Sequence, residues 1–209
     1  MDDAEFDRAL IAAAFQVAAE QGWRRLSVAA AARAGGLPLP RARERFPGRA
    51  AILLRFGRLA DQAALADAPS EGPVRDRLFD LLMRRIDALQ SHRGGTLALL
   101  RALPSEPPFA LLLGLATRRS MRWMLEAAGV STAGVRGDLR VRGLVAVWLW
   151  TVRAWRADET EDLAPTMAAL DTALRRAEQA AEWLGHRSRP APSPADPPPE
   201  PPAEDAVPA

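Results

Sequence analysis

Residues 26–49 read Leu26-Ser27-Val28-Ala29-Ala30-Ala31-Ala32-Arg33-Ala34-Gly35-Gly36-Leu37-Pro38-Leu39-Pro40-Arg41-Ala42-Arg43-Glu44-Arg45-Phe46-Pro47-Gly48-Arg49. Ser27 is a good N-cap, because its hydroxyl accepts from a backbone N–H that the first helical turn leaves unpaired. The alanine run behind it favours helix, and Gly35-Gly36 ends that helix where a left-handed residue costs little. After a short turn a second helix opens near Pro38–Pro40, since proline is tolerated in a first turn. It ends at Phe46-Pro47-Gly48 and is expected to carry Arg41, Arg43 and Arg45 outward. Two short helices joined by a glycine turn, with arginines on the second, fit a helix-turn-helix.

Working outward, charge supports this placement. Residues 22–58 hold nine arginines against one acid, Glu44, a net +8, whereas the whole chain carries +2. The remainder therefore sums to −6, and the motif reads as a cationic patch on an acidic molecule. A phosphate backbone is the commonest partner of such a patch.

The 209-residue chain fits one or two domains, and its 48% hydrophobic content suffices for a core. There is no cysteine, which excludes disulfides and thiolate chemistry, and only His92 and His186 supply imidazole. No metal site, cofactor, activated nucleophile or phosphate-binding glycine loop is expected, so an enzyme is the least favoured class. The acidic Met1-Asp2-Asp3 start is unlike a secretory leader, and the longest apolar run, 143–152, is too short to span a bilayer. A cytoplasmic protein is expected.

Apolar spacing predicts helices throughout and no strand. The first covers 4–21, with Phe6, Leu10, Ile11, Ala14, Phe15 and Ala18 on one stripe. The two motif helices follow, then a fourth over 49–67. The turn cluster Ala68-Pro69-Ser70-Glu71-Gly72-Pro73 divides a head, 1–68, from a body, 69–186. In the body, 74–91 places Leu78, Leu81, Leu82, Ile86 and Leu89 inward and Arg75, Arg77, Arg84 and Arg85 outward. Gly94-Gly95 is expected to break the chain before a short helix at 96–103. Longer helices are expected at 107–128, 138–156 and 163–184, the second apolar around most of its circumference. The proline-rich segment 187–209 is expected to be a disordered acidic tail. The class is all-α, with nine helices.

The layout Ala12-Ala13-Ala14-Phe15…Gly22-Trp23…Leu26-Ser27-Val28…Ala34-Gly35-Gly36…Arg45-Phe46-Pro47-Gly48-Arg49-Ala50-Ala51-Ile52-Leu53 resembles the tetracycline-repressor (TetR) family of bacterial regulators. The resemblance implies a nine- or ten-helix TetR-like homodimer whose head binds double-stranded DNA and whose body binds a small apolar ligand. It implies dimerisation through the helices at 138–156 and 163–184. By position it assigns Ser27, Pro38, Arg41, Arg43, Arg45 and Arg49 to DNA. Three positions depart from the family: Arg43 stands where an aromatic is usual, and Pro38 and Pro40 stand where small polar residues are usual.

A second resemblance covers Ser120-Met121-Arg122-Trp123…Leu139-Arg140-Val141-Arg142-Gly143-Leu144…Asp158-Glu159-Thr160-Glu161-Asp162…Thr166-Met167…Leu170, which is similar to the C-terminal domain of the Coq-nine family. It implies an isoprenoid lipid in the body, a role in ubiquinone biosynthesis, peripheral membrane contact and an idle head.

Leu112, Met121, Trp123, Met124, Trp148 and Trp155 are the candidate ligand-pocket residues, with ordinary core packing the competing reading. Arg118, Arg119 and Arg122 are candidates for receiving a headgroup. The acidic run Asp158–Asp162 is expected to cap the last helix rather than hold a metal. Together these expectations describe a regulator released from DNA by an apolar effector, with the lipid-binding accessory protein as the alternative.

Overall fold

A computed structural model describes residues 1–66, 68 and 71–187; the segment expected to be a tail therefore lies outside the described residues beyond Arg187, as do Asp67, the expected end of the fourth helix, and Pro69 and Ser70 of the expected boundary. Nine α-helices and no strand occur among the described residues: α1 (Asp3–Gln21), α2 (Val28–Ala34), α3 (Leu39–Arg45), α4 (Arg49–Leu65), α5 (Val74–Gln90), α6 (Arg93–Ala102), α7 (Pro107–Ala127), α8 (Gly134–Ala157) and α9 (Ala164–Arg187). The all-α expectation holds, with most boundaries within a few residues.

α1 starts at a reciprocal capping box between Asp2 and Glu5, and its buried stripe of Phe6, Leu10, Ala14 and Phe15 is the one the spacing predicts. Phe15 meets Trp23 edge-on at 5.9 Å and Phe56 at 4.4 Å, so the first helix, the 3-10 turn at Trp23–Arg25 and α4 share one aromatic centre. α6 also packs against α1.

Gly94-Gly95 does not break the chain. Both glycines lie inside α6, where a Cβ on Gly95 would stand 2.3 Å from the Phe15 carbonyl oxygen and one on Gly94 3.0 Å from the Ala19 methyl. The pair is there to let two helix backbones approach, a tertiary demand that overrides helix propensity. α8 likewise begins earlier than expected. In the single chain it is buried on one side only, leaving Leu139, Leu149 and Trp150 at least half exposed.

Arg93 joins α6 to the end of α8: its guanidinium donates to the Trp155 and Asp158 carbonyls at 3.1 and 2.6 Å and lies 4.8 Å from the Trp155 ring. The acidic run caps α9 as expected. Asp158, buried, accepts from the backbone N–H and hydroxyl of Thr166 in the first turn of α9, at 3.0 and 2.6 Å, and Asp162 accepts from the Ala164 N–H at 3.1 Å.

Candidate functional site

In the helix-turn-helix, Ser27 Oγ accepts from the Ala30 N–H at 3.0 Å and opens α2. Gly36, at φ +62°, closes it: its N–H donates to the Arg33 carbonyl and the Leu37 N–H to the Ala32 carbonyl, at 3.2 and 2.8 Å. That pair of bonds is a Schellman closure, for which glycine is the cheapest residue. Ala31, Ala32, Ala42 and Phe46 bury the inner faces of α2 and α3. Pro38, Leu39, Pro40, Arg43 and Glu44 are left exposed around α3.

The expected arginines divide: Arg41 and Arg45 do not point outward as expected, and Arg49 is also held in an internal pair. Arg41 turns back to α1, donating to Asp3 Oδ1 at 2.6 Å and to the Met1 carbonyl at 3.2 Å, with its guanidinium 4.6 Å from the Phe6 ring. Arg45 grips Asp7 through Nε and Nη2 at 2.6 and 3.0 Å, and Asp3 through Nη1 at 2.6 Å. Arg49 takes Glu106, just before α7, at 3.2 and 3.1 Å and the Trp23 carbonyl at 3.1 Å, with its guanidinium over the ring of Phe109. Arg55 adds a third bond to Asp7, at 2.8 Å.

The physical reason is register. Arg41 and Arg45 are four apart on one face of α3, and Asp3 and Asp7 are four apart on the facing side of α1, so two short ladders mesh. Counting charge over 22–58 alone omitted those partners. Burial pushes the Asp7 carboxyl up, but Arg45 and Arg55 outweigh it and hold it below its ordinary value. The Arg41 hydrogen bond, aided by the charges of both arginines, lowers Asp3 as well.

Arg43 alone of the four expected arginines stays exposed, its Nη1 donating only to the Pro47 carbonyl at 3.2 Å. Arg25 and Arg33, which the sequence argument did not single out, are exposed and make no ion pair among the described residues.

The second feature is a cavity of about 770 Å³ between α4, α5, α6, α7 and α8. Trp123 and Trp148 line it, as expected, together with Leu53, Phe56, Leu113 and Leu149. Met121, Met124 and Trp155 do not: they are fully buried in the core, and Trp155 Nε1 donates to Gln90 Oε1 at 2.8 Å. Leu112 is also off the lining, where its neighbour Leu113 stands. Helix phase separates these residues, which spacing alone grouped by apolarity. Of the three headgroup candidates only Arg119 reaches the lining; Arg118 pairs with Asp138.

Sequence reasoning missed the polar group in the wall. Arg85, expected outside, is buried and lines the cavity; it pairs with Asp61 and lies 5.1 Å from the Trp148 ring. Ser120 Oγ donates to the other Asp61 oxygen at 2.6 Å. Burial lowers Arg85 to about 10, so it remains cationic at neutral pH. The signal was visible: Leu78, Leu82, Arg85 and Leu89 follow the three- and four-residue spacing of one apolar stripe.

With this arrangement in view, the similar solved structures are informative. A TetR transcriptional regulator from Nitrosomonas europaea superposes with a TM-score of 0.68 at 22% identity, over 84% of this chain and 99% of that one. The fold is that of TetR-family transcriptional regulators. A TetR-family regulator from Streptomyces coelicolor matches at TM-score 0.59 and 22% identity, over 89% of this chain and 87% of its own. One from Rhodococcus sp. RHA1 matches at 0.57 and 17%, over 84% and 97%. No protein-family model and no curated protein matches the chain. Among the described residues of this TetR-type fold, no helix is long and apolar enough to cross a membrane.

Proposed function

We propose that the chain is a TetR-type DNA-binding transcriptional regulator, working as a homodimer and released from its operator by an apolar effector held in the cavity. The observation that carries this is the double duty of α4. It follows α3 after a three-residue link, 46–48, and it contributes Leu53, Phe56, Gly57 and Ala60 to the cavity wall. A molecule that fills the cavity therefore bears on the helix that carries the head. Arg49, the first residue of α4, is clamped to Glu106 at the start of α7, another lining helix, so the two walls and the head move as a coupled set. Ligand and operator then favour different head separations.

On DNA, affinity comes from Arg25, Arg33 and Arg43 and from the Ser27 end of α2, with Pro38 at the start of α3 against the groove. Arg43 suits a guanine edge, and Leu39 and Pro40 offer apolar contact to thymine methyl groups. Dimerisation uses the exposed stripe Val135, Leu139, Gly143, Ala146 and Trp150 of α8, with α9 beside it; the small residues at its centre let two helices cross closely. The test is anisotropy of a labelled random duplex over a salt series, followed by titration with apolar compounds. Duplex binding that weakens steeply with salt supports the reading, and none at low salt removes it.

The internal pairing of Arg41, Arg45 and Arg49 favours one competing account, the Coq-nine-like lipid carrier with an idle head, although the structural matches lend that resemblance no support. Mass spectrometry of lipid co-purified with the protein decides it: a bound isoprenoid together with absent duplex binding would establish the carrier.

A further inference from the structure

Most of the cavity lining is apolar; Arg58, Gln62, Thr117 and Arg119 reach it too, but the polar groups that bear on a ligand here are Arg85, Asp61, Ser120 and Thr96. A guanidinium carries five N–H donors and no acceptor. Arg85 places Nη1 against Asp61, while its buried Nε has no hydrogen-bond partner, and neither has the buried Thr96 Oγ1. Donors left unmade in a buried site are costly, and a ligand that supplies an acceptor recovers that cost. Each Asp61 oxygen already has a neighbour, Arg85 at one and Ser120 at the other. Arg85 is therefore neutralised in charge but short of acceptors. The Trp148 face holds the guanidinium in place, so little ordering is needed when a ligand arrives.

We propose that the effector is an apolar molecule bearing a neutral oxygen acceptor of the carbonyl type, which accepts from Arg85 and Thr96 while its hydrocarbon body lies among Leu53, Phe56, Leu113, Trp123 and Leu149. The inference rests on the cavity being the effector site. A carboxylate is disfavoured at this end because it would stand beside Asp61 and leave an uncompensated buried negative charge. The cavity volume is within the usual range for a ligand of drug or metabolite size.

The experiment uses the full chain and three probes matched in shape: 2-acetylnaphthalene, 2-ethylnaphthalene and 2-naphthoate. Binding is read by calorimetry and by quenching of tryptophan fluorescence, since Trp123 and Trp148 face the site. The ketone binds roughly tenfold or more tightly than the hydrocarbon, the range expected of one bond from a charged donor. Replacing the pair together, Asp61→Leu with Arg85→Met, erases the preference and leaves hydrocarbon binding in place, because a buried pair exchanged for apolar residues is often tolerated. Should that variant not fold, the ranking in the native protein decides alone, with Thr96→Val as a milder variant that narrows the preference. Equal binding of ketone and hydrocarbon, or naphthoate binding best through Arg58 and Arg119, overturns the carbonyl inference and leaves the effector cavity standing. Failure of all three probes to bind overturns the effector reading, and the inference with it.

Discussion

Asp7→Asn tests how α3 is held. The native carboxylate is 3% exposed and accepts three charge-assisted bonds, two from Arg45 and one from Arg55, so it ties α1 to both α3 and α4. Asparagine keeps the shape but offers one acceptor and turns an NH₂ toward guanidinium donors. Breaking a buried pair from one side costs about 3–5 kcal/mol. Arg45 and Arg55 are 25% and 27% exposed, so water recovers part of that loss. The expected destabilisation is about 3 kcal/mol, or roughly 6–12 °C in Tm for a chain of this size. Urea denaturation should show a lower midpoint at unchanged slope. The pH dependence follows from the lowered carboxyl: the native advantage is full above the unfolded value near 4 and declines as pH falls through the lower folded value, and the variant loses that slope. Adding Arg45→Gln to Asp7→Asn should then cost little more. A loss below about 1 kcal/mol would refute the claim that this cluster positions the second motif helix.

Three further outcomes follow from separate parts of the fold. Gly95→Ala forces a methyl onto the Phe15 backbone and should destabilise by about 1–3 kcal/mol despite alanine's better helix propensity; a stabilised variant would contradict the close α1–α6 approach. At Asp158, burial pushes the carboxyl up, but the hydroxyls and N–H groups of Thr166 and Thr160 outweigh it and set it at about 2. Asp158→Ala should therefore cost about 2 kcal/mol above pH 4, an advantage the native protein loses as pH falls through 2, and equal denaturation midpoints at pH 7 would count against the cap. Trp150→Glu, on the exposed stripe of α8, should leave the far-ultraviolet spectrum unchanged but shift sedimentation from dimer to monomer; a native protein already monomeric would remove the proposed interface.

Most of the fold was legible because its signals are local. Ser27, Gly36 and the proline at the start of α7 act within one turn, and apolar spacing marked the longer helices. What escaped notice depends on contacts far apart in sequence. Gly94-Gly95 reads as a break until α1 lies against it. Arg41 and Arg45 read as free cations until Asp3 and Asp7, 38 residues away, are brought opposite. The matched four-residue spacing of those two pairs was the clue. The cavity gathers side chains from five helices, so single-helix apolarity could not separate Trp148, which lines it, from Trp155, which packs behind it.

The central claim is that the head grips duplex DNA with the guanidinium groups left outside the internal pairs. Its most direct test is the slope of log K against log salt for the dimer on a random duplex. Arg25, Arg33 and Arg43 on two heads give six contacts and a slope of about −5, falling by about 2 when Arg43→Ala removes one contact per head. A slope near zero would contradict the account. One of about −11 would show that Arg41, Arg45 and Arg49 leave their carboxylates to reach phosphate.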